Sequence, residues 1–153
     1  MNRYLLAVAF FLFIGEPTFC QTGKDSSTMN CKTGNLDDEP SATITSIEIF
    51  LSELKLDVKE DNRDKVAKLV HYPLLVSTPS GRSYIHSQID FKARYNEIVP
   101  SALKTLLLRQ QAKCVSRVGA QGFTIGNGEV WFDVFSDGNV KIFTISPVVI
   151  SDQ

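Results

Sequence analysis

Two turn signals near the C-terminus constrain this sequence more than any other feature. Between residues 122 and 146, the pairs Asn127-Gly128 and Asp137-Gly138 separate runs rich in β-branched and aromatic residues. Both pairs favour two-residue hairpin loops, because the two central residues of a type I′ turn need positive φ. The segment therefore predicts a meander of three antiparallel strands.

The same turns predict which side chains share a face of the sheet. Residues that face each other across a two-residue loop lie on one side, since side chains alternate along a strand. Counting outward gives an apolar face with two rows, which are Phe123, Phe132 and Phe143, and Ile125, Val130 and Ile145. The opposite, mixed face receives Thr124, Glu129, Trp131, Asp133, Phe135, Ile142 and Thr144. We predict that the apolar face packs against helices. A slip of one residue in either turn would exchange the two faces, so the burial of one face specifies the register.

The N-terminus has the pattern of an export signal. Arg3 precedes an apolar run over residues 4–14, which is too short to span a bilayer comfortably. Cleavage after Cys20 would leave small residues at positions −3 and −1. The alternatives are an uncleaved anchor, a buried helix, or lipid attachment at Cys20. We predict a signal peptide over residues 1–20, a secreted or periplasmic location, and no membrane segment after the signal is removed.

The rest of the chain divides into a polar leader and one domain. Residues 21–41 contain almost no large apolar side chain, which predicts a mobile leader. Residues 42–150 are enough for one domain with its own core. Its first helix, which begins near Thr43, has an apolar stripe at helical spacing that consists of Ile47, Phe50, Leu51, Leu54 and Val58.

The remaining patterns predict the order of elements. A short second helix follows a cap at Asp61 or Asn62 and ends at Tyr72-Pro73. A hairpin turns at residues 79–81, and a third helix begins at Ser87. A strand that begins at Cys114 leads into the meander. Helices followed by strands indicate an α+β domain, with helices packed on one face of an antiparallel sheet in the order helix, helix, hairpin, helix and four strands.

The cysteines are interpreted through the predicted export. If Cys20 leaves with the signal, Cys31 and Cys114 remain as an even number in an oxidising compartment, which predicts a disulfide between them. The alternative is two thiols, with Cys114 packed as a small apolar side chain. The sequence has no Cys-x-x-Cys motif, so neither a thioredoxin-type site nor a zinc ribbon is indicated.

Three short patterns together resemble a known superfamily. They are Tyr72-Pro73-Leu74 with Val76 behind it, Phe91 and Tyr95 on the next helix, and Gly126-x-Gly128-Glu129-x-Trp131-Phe132 in the sheet. With the order of elements, they resemble the nuclear-transport-factor-2-like fold over residues 44–147, and within it the small exported bacterial members. The resemblance implies a cone in which a curved sheet wraps around helices.

The resemblance also implies an apolar cavity between sheet and helices, without implying a reaction. That superfamily includes isomerases, dehydratases and transport factors. The residues expected to line the cavity are Tyr72, Phe91, Tyr95 and Phe132. The hydroxyls of Tyr72 and Tyr95 are candidates to contact a ligand, and the alternative is that both are core aromatics with a hydrogen bond at the rim.

Several classes of function find no support in the sequence. Sixteen Lys and Arg residues against seventeen Asp and Glu residues give a net charge of −1, so we expect no nucleic-acid partner. Neither His71 nor His86 has a ligand at metal-binding spacing, so we expect no metal and no cofactor. No nucleophile-elbow motif is present, and Asp133 falls on the mixed face. We therefore predict no catalytic residue.

The mixed face is the candidate interaction surface. Trp131, rimmed by Glu129 and Asp133, would suit a homodimer or a partner protein, and related folds often dimerise through this face. The alternative is cover by residues 148–150. We predict a non-catalytic exported domain that binds a partner protein or a small apolar ligand. The second hypothesis is an isomerase or dehydratase with an inward-facing carboxylate in the cone, with Asp90, Asp133 or His71 as its acid-base residue.

Overall fold

The computed structural model describes residues 36–148. The predicted signal peptide, most of the polar leader, Cys31 and the end of the chain from residue 149 lie outside these residues. The helices are α1 (Ser41–Lys59), α2 (Arg63–Lys68), α3 (Gln88–Ala93), α4 (Tyr95–Ile98) and α5 (Ser101–Arg109). The strands are β1 (Val70–Thr78), β2 (Gly81–Ile85), β3 (Ser116–Arg117), β4 (Phe123–Ile125), β5 (Val130–Val134) and β6 (Val140–Ile145). Helices therefore pack against a curved, open sheet, as the predicted α+β class requires.

The N-terminal helices follow the sequence pattern closely. Helix α1 begins at Ser41 and buries every residue of its predicted apolar stripe. Asn62 caps α2, because its side chain accepts a hydrogen bond from the backbone N–H of Lys65. Helix α2 ends at Lys68, so Tyr72-Pro73 lies inside β1 instead of ending the helix.

The long helical pattern after Ser87 is divided into three pieces. Ser87 caps α3 by accepting a hydrogen bond from the N–H of Asp90, and its hydroxyl donates to the Asp90 carboxylate at 2.7 Å. The chain leaves helical geometry at Arg94 and again at Val99, so α4 is a single turn. Pro100 immediately precedes α5, where its missing N–H removes no helical hydrogen bond.

The six strands form one mixed sheet in the order β2-β1-β6-β5-β4-β3. Four neighbouring pairs are antiparallel, as predicted, but β1 and β6 run parallel. Parallel neighbours need a long crossover, and the chain between β2 and β3 contains α3, α4 and α5. Strand β6 therefore approaches β1 without a hairpin to set its direction, and turn signals carry no information about this pairing.

The register of the first predicted hairpin is confirmed, although Asn127 lacks the positive φ that a type I′ turn requires. Strands β4 and β5 pair Phe123 with Phe132, Thr124 with Trp131, and Ile125 with Val130. Gly128 has φ +102°, which shows why glycine is favoured in this turn. The Asn127-Gly128 signal thus determined both the location and the register of this pair.

The second hairpin differs from the prediction at its turn. Val134 pairs with Val140 and Phe132 with Ile142, so the strands begin one residue out of the predicted register. The loop is wider than two residues because the Asp137 side chain accepts hydrogen bonds from the backbone and the side chain of Asn139.

A register shift between Phe132 and Trp131 returns the two strands to the predicted register, because β6 has one extra residue there, Phe143. Beyond it Val130 pairs with Ile145, as predicted. The assignments of Phe143 to the apolar row and of Ile142 to the mixed face are therefore wrong. Ile142 is buried and Phe143 is only partly buried.

Candidate functional site

Three of the four aromatic residues predicted to line a cavity are core residues. Phe91, Tyr95 and Phe132 have no exposed surface (0%). The ring of Phe132 lies 4.9 Å from that of Phe50, centroid to centroid, whereas Phe91 meets Tyr95 edge to face at 5.8 Å. Their ring contacts thus divide them between a group around Phe132 and the pair formed by Phe91 and Tyr95.

The two tyrosine hydroxyls that the sequence singled out have different surroundings. The Tyr72 hydroxyl donates a hydrogen bond to the carbonyl oxygen of Ala67 at 3.1 Å. The Tyr95 hydroxyl is buried and has no hydrogen-bond partner in the described part of the chain. Burial raises the pKa of both phenols, to about 12 for Tyr95. Both are therefore neutral donors at pH 7, and of the two only Tyr95 has an unused hydroxyl.

Two cations lie over the Tyr95 ring. The guanidinium carbon of Arg63 is 5.1 Å from the ring centroid, and Nζ of Lys104 is 5.0 Å from it. Both distances are typical of cation–π contacts. Arg63 comes from α2 and Lys104 from α5, so the two helices converge on the α4 tyrosine. With Asp61, described next, these residues are named the Tyr95 cluster.

Asp61 connects the two cations. Its Oδ1 accepts a hydrogen bond from Lys104 Nζ at 2.6 Å, and its Oδ2 accepts from Arg63 Nη2 at 3.1 Å and Nε at 3.2 Å. These hydrogen bonds to Lys104 and Arg63 hold the pKa of the Asp61 carboxyl below its ordinary value. Asp61 has φ +51°, in the left-handed region that non-glycine residues seldom adopt. The carboxylate is thus held between both positive groups.

No sequence pattern points to the Tyr95 cluster beyond Tyr95 itself. The sequence predicts Asp61 only as a possible helix cap and indicates no role for Arg63 or Lys104. Asp61 and Lys104 are 43 residues apart. Their contact depends on the packing of α5 beside the loop between α1 and α2, which hydrophobic periodicity does not specify.

The outer face of the sheet, opposite the helices, carries one continuous row of paired residues. Successive pairings across all six strands join Tyr84, Leu75, Thr144, Trp131, Thr124 and Ser116, which are named the outer row. Thr124 in this row is buried and Tyr84 is 58% exposed, whereas the other four residues are partly buried. The predicted pairing of Trp131 with Thr124 and Thr144 is confirmed.

Trp131 is held in place by its own turn. Its indole Nε1 donates a hydrogen bond to the carbonyl oxygen of Gly128 at 3.0 Å. The ring also lies close to Gly128, where an added Cβ would come within 3.5 Å of Nε1. An aromatic side chain fixed in this way loses little further conformational freedom when a partner covers it.

Glu129 does not rim the outer face as predicted, because it is only 3% exposed. Its carboxylate accepts a hydrogen bond from the backbone N–H of Asn127, and a Cβ added at Gly126 would overlap it. Gly126 N–H also donates to the side chain of Gln110, which is buried at the end of α5. Glu129 thus stabilises the β4–β5 turn instead of presenting a charge to solvent.

The residues that an acid-base enzyme would use are not in the core. Asp133 lies on the outer side of β5, and its Oδ1 accepts a hydrogen bond from the N–H of Val134 at 2.8 Å. Asp90 is exposed and caps α3, and exposed His71 stacks on Phe135 with centroids 4.6 Å apart. None of these three groups lies in the core beside Tyr72 or Tyr95.

The remaining predictions concern metals, membranes and the disulfide. Within residues 36–148, no group of three or more His, Cys, Asp or Glu side chains is arranged to hold a metal ion. Over the same residues, no helix combines the length and apolarity needed to cross a bilayer. Cys114 is buried at the end of a 3-10 turn before β3, whereas Cys31 lies outside the described residues. Their pairing stays a prediction.

Comparison with known proteins adds no family to this description. No protein-family model, no curated protein and no solved structure matches the chain. The resemblance to the nuclear-transport-factor-2-like superfamily therefore stays a prediction, and the functional argument depends on the geometry of the described residues.

Proposed function

We propose that this chain is a non-catalytic interaction domain that binds another protein chain through the outer row. One observation carries the proposal: the row crosses the whole sheet and presents Tyr84, Leu75 and Trp131 together on the side away from the helices. Aromatic and aliphatic side chains grouped at the surface are typical of protein interfaces, even where only Tyr84 is exposed, and tryptophan and tyrosine are enriched among residues that dominate binding.

A second copy of the chain is the partner that the charges favour. Asp133 pairs across the strands with Lys141, next to the outer row, so the same surface carries both signs of charge. Around a two-fold axis, each carboxylate can face the ammonium group of the other copy, as a self-complementary interface requires. If the predicted export signal acts, this association takes place outside the cytoplasm.

The geometry favours this function over the enzyme alternative. An isomerase or dehydratase needs a carboxylate or imidazole inside the cone, tuned by burial. Asp90 and His71 are exposed, and Asp133 faces outward. A small apolar ligand is also less favoured, because Phe91, Tyr95 and Phe132 are themselves fully buried core residues.

Trp131, the only tryptophan in the sequence, provides a direct assay of this proposal. As protein concentration rises, sedimentation should show a change from monomer to dimer. The emission of Trp131 should shift to shorter wavelength and become harder to quench with acrylamide. Tyr84→Glu places a charge in the outer row at an exposed position, and it should weaken association about tenfold or more, equivalent to about 1.4 kcal/mol.

Leu56→Glu is the matched control. Leu56 is also exposed (51%), but it lies on α1, away from the outer row, so the variant should associate like the wild type. A wild-type chain that remains monomeric with constant quenching of Trp131 would refute dimerisation through the outer row. Equal weakening by Leu56→Glu and Tyr84→Glu would also contradict it, since the outer row would then have no special role.

A further inference from the structure

The Tyr95 cluster gathers several hydrogen-bond donors around one carboxylate, and Arg63 Nη2 also donates to Asn96 Oδ1 at 3.3 Å. Arg63 directs Nε and Nη2 at one oxygen of Asp61, and Lys104 directs Nζ at the other. The side chains of Arg63 and Lys104 are 39% and 26% exposed, so both cations remain accessible from solvent. A guanidinium fork beside an ammonium group is an arrangement that proteins use to bind phosphate and carboxylate groups.

The Tyr95 hydroxyl is a further donor in the same place. It is buried without a partner among the described residues, although a buried hydroxyl is normally hydrogen-bonded. Burial is the main reason that the pKa of this phenol is raised; the Asp61 carboxylate raises the pKa further and the Arg63 guanidinium lowers it, so both charges act on the hydroxyl. A ligand that takes the place of Asp61 would therefore lie against the ring that carries a third, neutral donor.

Asp61 occupies the position that an external ligand would take. Its carboxylate oxygens stand in for two oxygens of an oxyanion, one on Lys104 and one on Arg63. Both ion pairs are partly exposed, and such pairs contribute little to stability, so they can be exchanged. The Asp61 side chain leaves from a loop residue between α1 and α2, and its displacement would not require either helix to move.

We propose that the Tyr95 cluster is an oxyanion-binding site, which takes a phosphate or carboxylate group and for which the Asp61 carboxylate is the internal competitor. The bound group would accept hydrogen bonds from Arg63, Lys104 and the Tyr95 hydroxyl. The nearby Lys65 is paired with a different carboxylate, because its Nζ lies 3.6 Å from buried Asp57. Displacing Asp61 therefore leaves two cations for the ligand, which favours a doubly charged phosphate over a carboxylate.

Calorimetric titration of the full chain with inorganic phosphate tests the site, with acetate as the second ligand and chloride at equal ionic strength as the baseline. Asp61→Asn removes the competing charge, and asparagine tolerates the left-handed backbone of this position. We expect this variant to bind phosphate about tenfold more tightly than the wild type, because the competing carboxylate charge that accepts from both cations is lost. Acetate should bind more weakly than phosphate.

Asp64→Asn is the matched control, because Asp64 pairs with Lys92 at 2.6 Å and contacts no guanidinium or tyrosine hydroxyl among residues 36–148. It removes the same charge, so general electrostatics would change phosphate binding equally in both variants. Adding Tyr95→Phe to Asp61→Asn should remove a large part of the gain while circular dichroism stays unchanged.

Two results would overturn the proposal. One is equal phosphate affinity in Asp61→Asn and Asp64→Asn, which would reduce the effect to net charge. The other is unchanged phosphate affinity after Tyr95→Phe is added to Asp61→Asn. The site is independent of the outer row, so neither result bears on dimerisation, and a monomeric chain would leave the oxyanion site intact.

Discussion

The different surroundings of the Tyr72 and Tyr95 hydroxyls predict both the direction and the size of a change in protein stability. A buried hydroxyl without a partner lowers stability by about 1–3 kcal/mol, whereas a made hydrogen bond contributes about 1 kcal/mol. Tyr95→Phe removes the unpartnered hydroxyl and keeps the ring between Arg63 and Lys104. We expect it to stabilise the protein by about 1 kcal/mol. Tyr72→Phe removes the hydrogen bond to Ala67 and should destabilise it by about the same amount.

Urea unfolding followed through Trp131 emission measures both variants, in buffer free of phosphate so that the oxyanion site stays unoccupied. The two midpoints should move in opposite directions at equal slope, with a difference in unfolding free energy of about 2 kcal/mol. In thermal unfolding, each kcal/mol corresponds to a shift of about 4 °C for a domain of this size. If Tyr95→Phe destabilises the protein as much as Tyr72→Phe, the Tyr95 hydroxyl is hydrogen-bonded in solution, and the reasoning fails.

Three further predictions follow from the same contacts. Ile142→Ala should destabilise the protein by about 2–5 kcal/mol, and Phe143→Ala by much less, because the register shift buries Ile142 and leaves Phe143 partly exposed. The reverse order of the two losses in urea unfolding would show that the strands pair without this register shift. Asn62→Ala should cost about 1 kcal/mol, and Asn62→Gly only a few tenths, since the side chain caps α2; equal losses in thermal unfolding would argue against the cap. The pKa of Tyr95 is raised from 10.0 to about 12 in the folded protein. The folded state therefore keeps this phenol protonated to a higher pH than the unfolded chain does, so the unfolding free energy is unaffected below pH 10 and falls as the pH rises through 12. The fall should be less steep in Tyr95→Phe over this range. Equal slopes in the two proteins would contradict the assignment.

The proposed interaction surface and the proposed oxyanion site lie on opposite sides of the described domain. The outer row lies on the sheet face away from the helices, whereas the Tyr95 cluster is formed by α2, α4, α5 and the loop before α2. Association through the outer row therefore leaves Arg63 and Lys104 accessible. Phosphate binding measured at low and high protein concentration should give the same affinity.

Much of the fold could be predicted because its signals are local. The Asn127-Gly128 turn and the alternation of Phe123, Ile125, Val130 and Phe132 are sufficient to set the register of β4 and β5, since both depend on neighbouring residues. Helix α1 was likewise predictable from the spacing of its apolar residues. The second hairpin shows the limit, because the contacts of Asp137 with Asn139 widened a turn that the residue pair alone identified as two residues long.

The sequence by itself determined the α+β class, the helix stripes and the location of Trp131 opposite the helices, because side-chain period and turn chemistry act over a few residues. Only the tertiary structure decided the parallel pairing of β1 with β6, the burial of Glu129 and the Tyr95 cluster. These features bring together residues that are far apart in the chain. Their contacts are set by how helices and strands pack as whole elements, for which no local pattern exists.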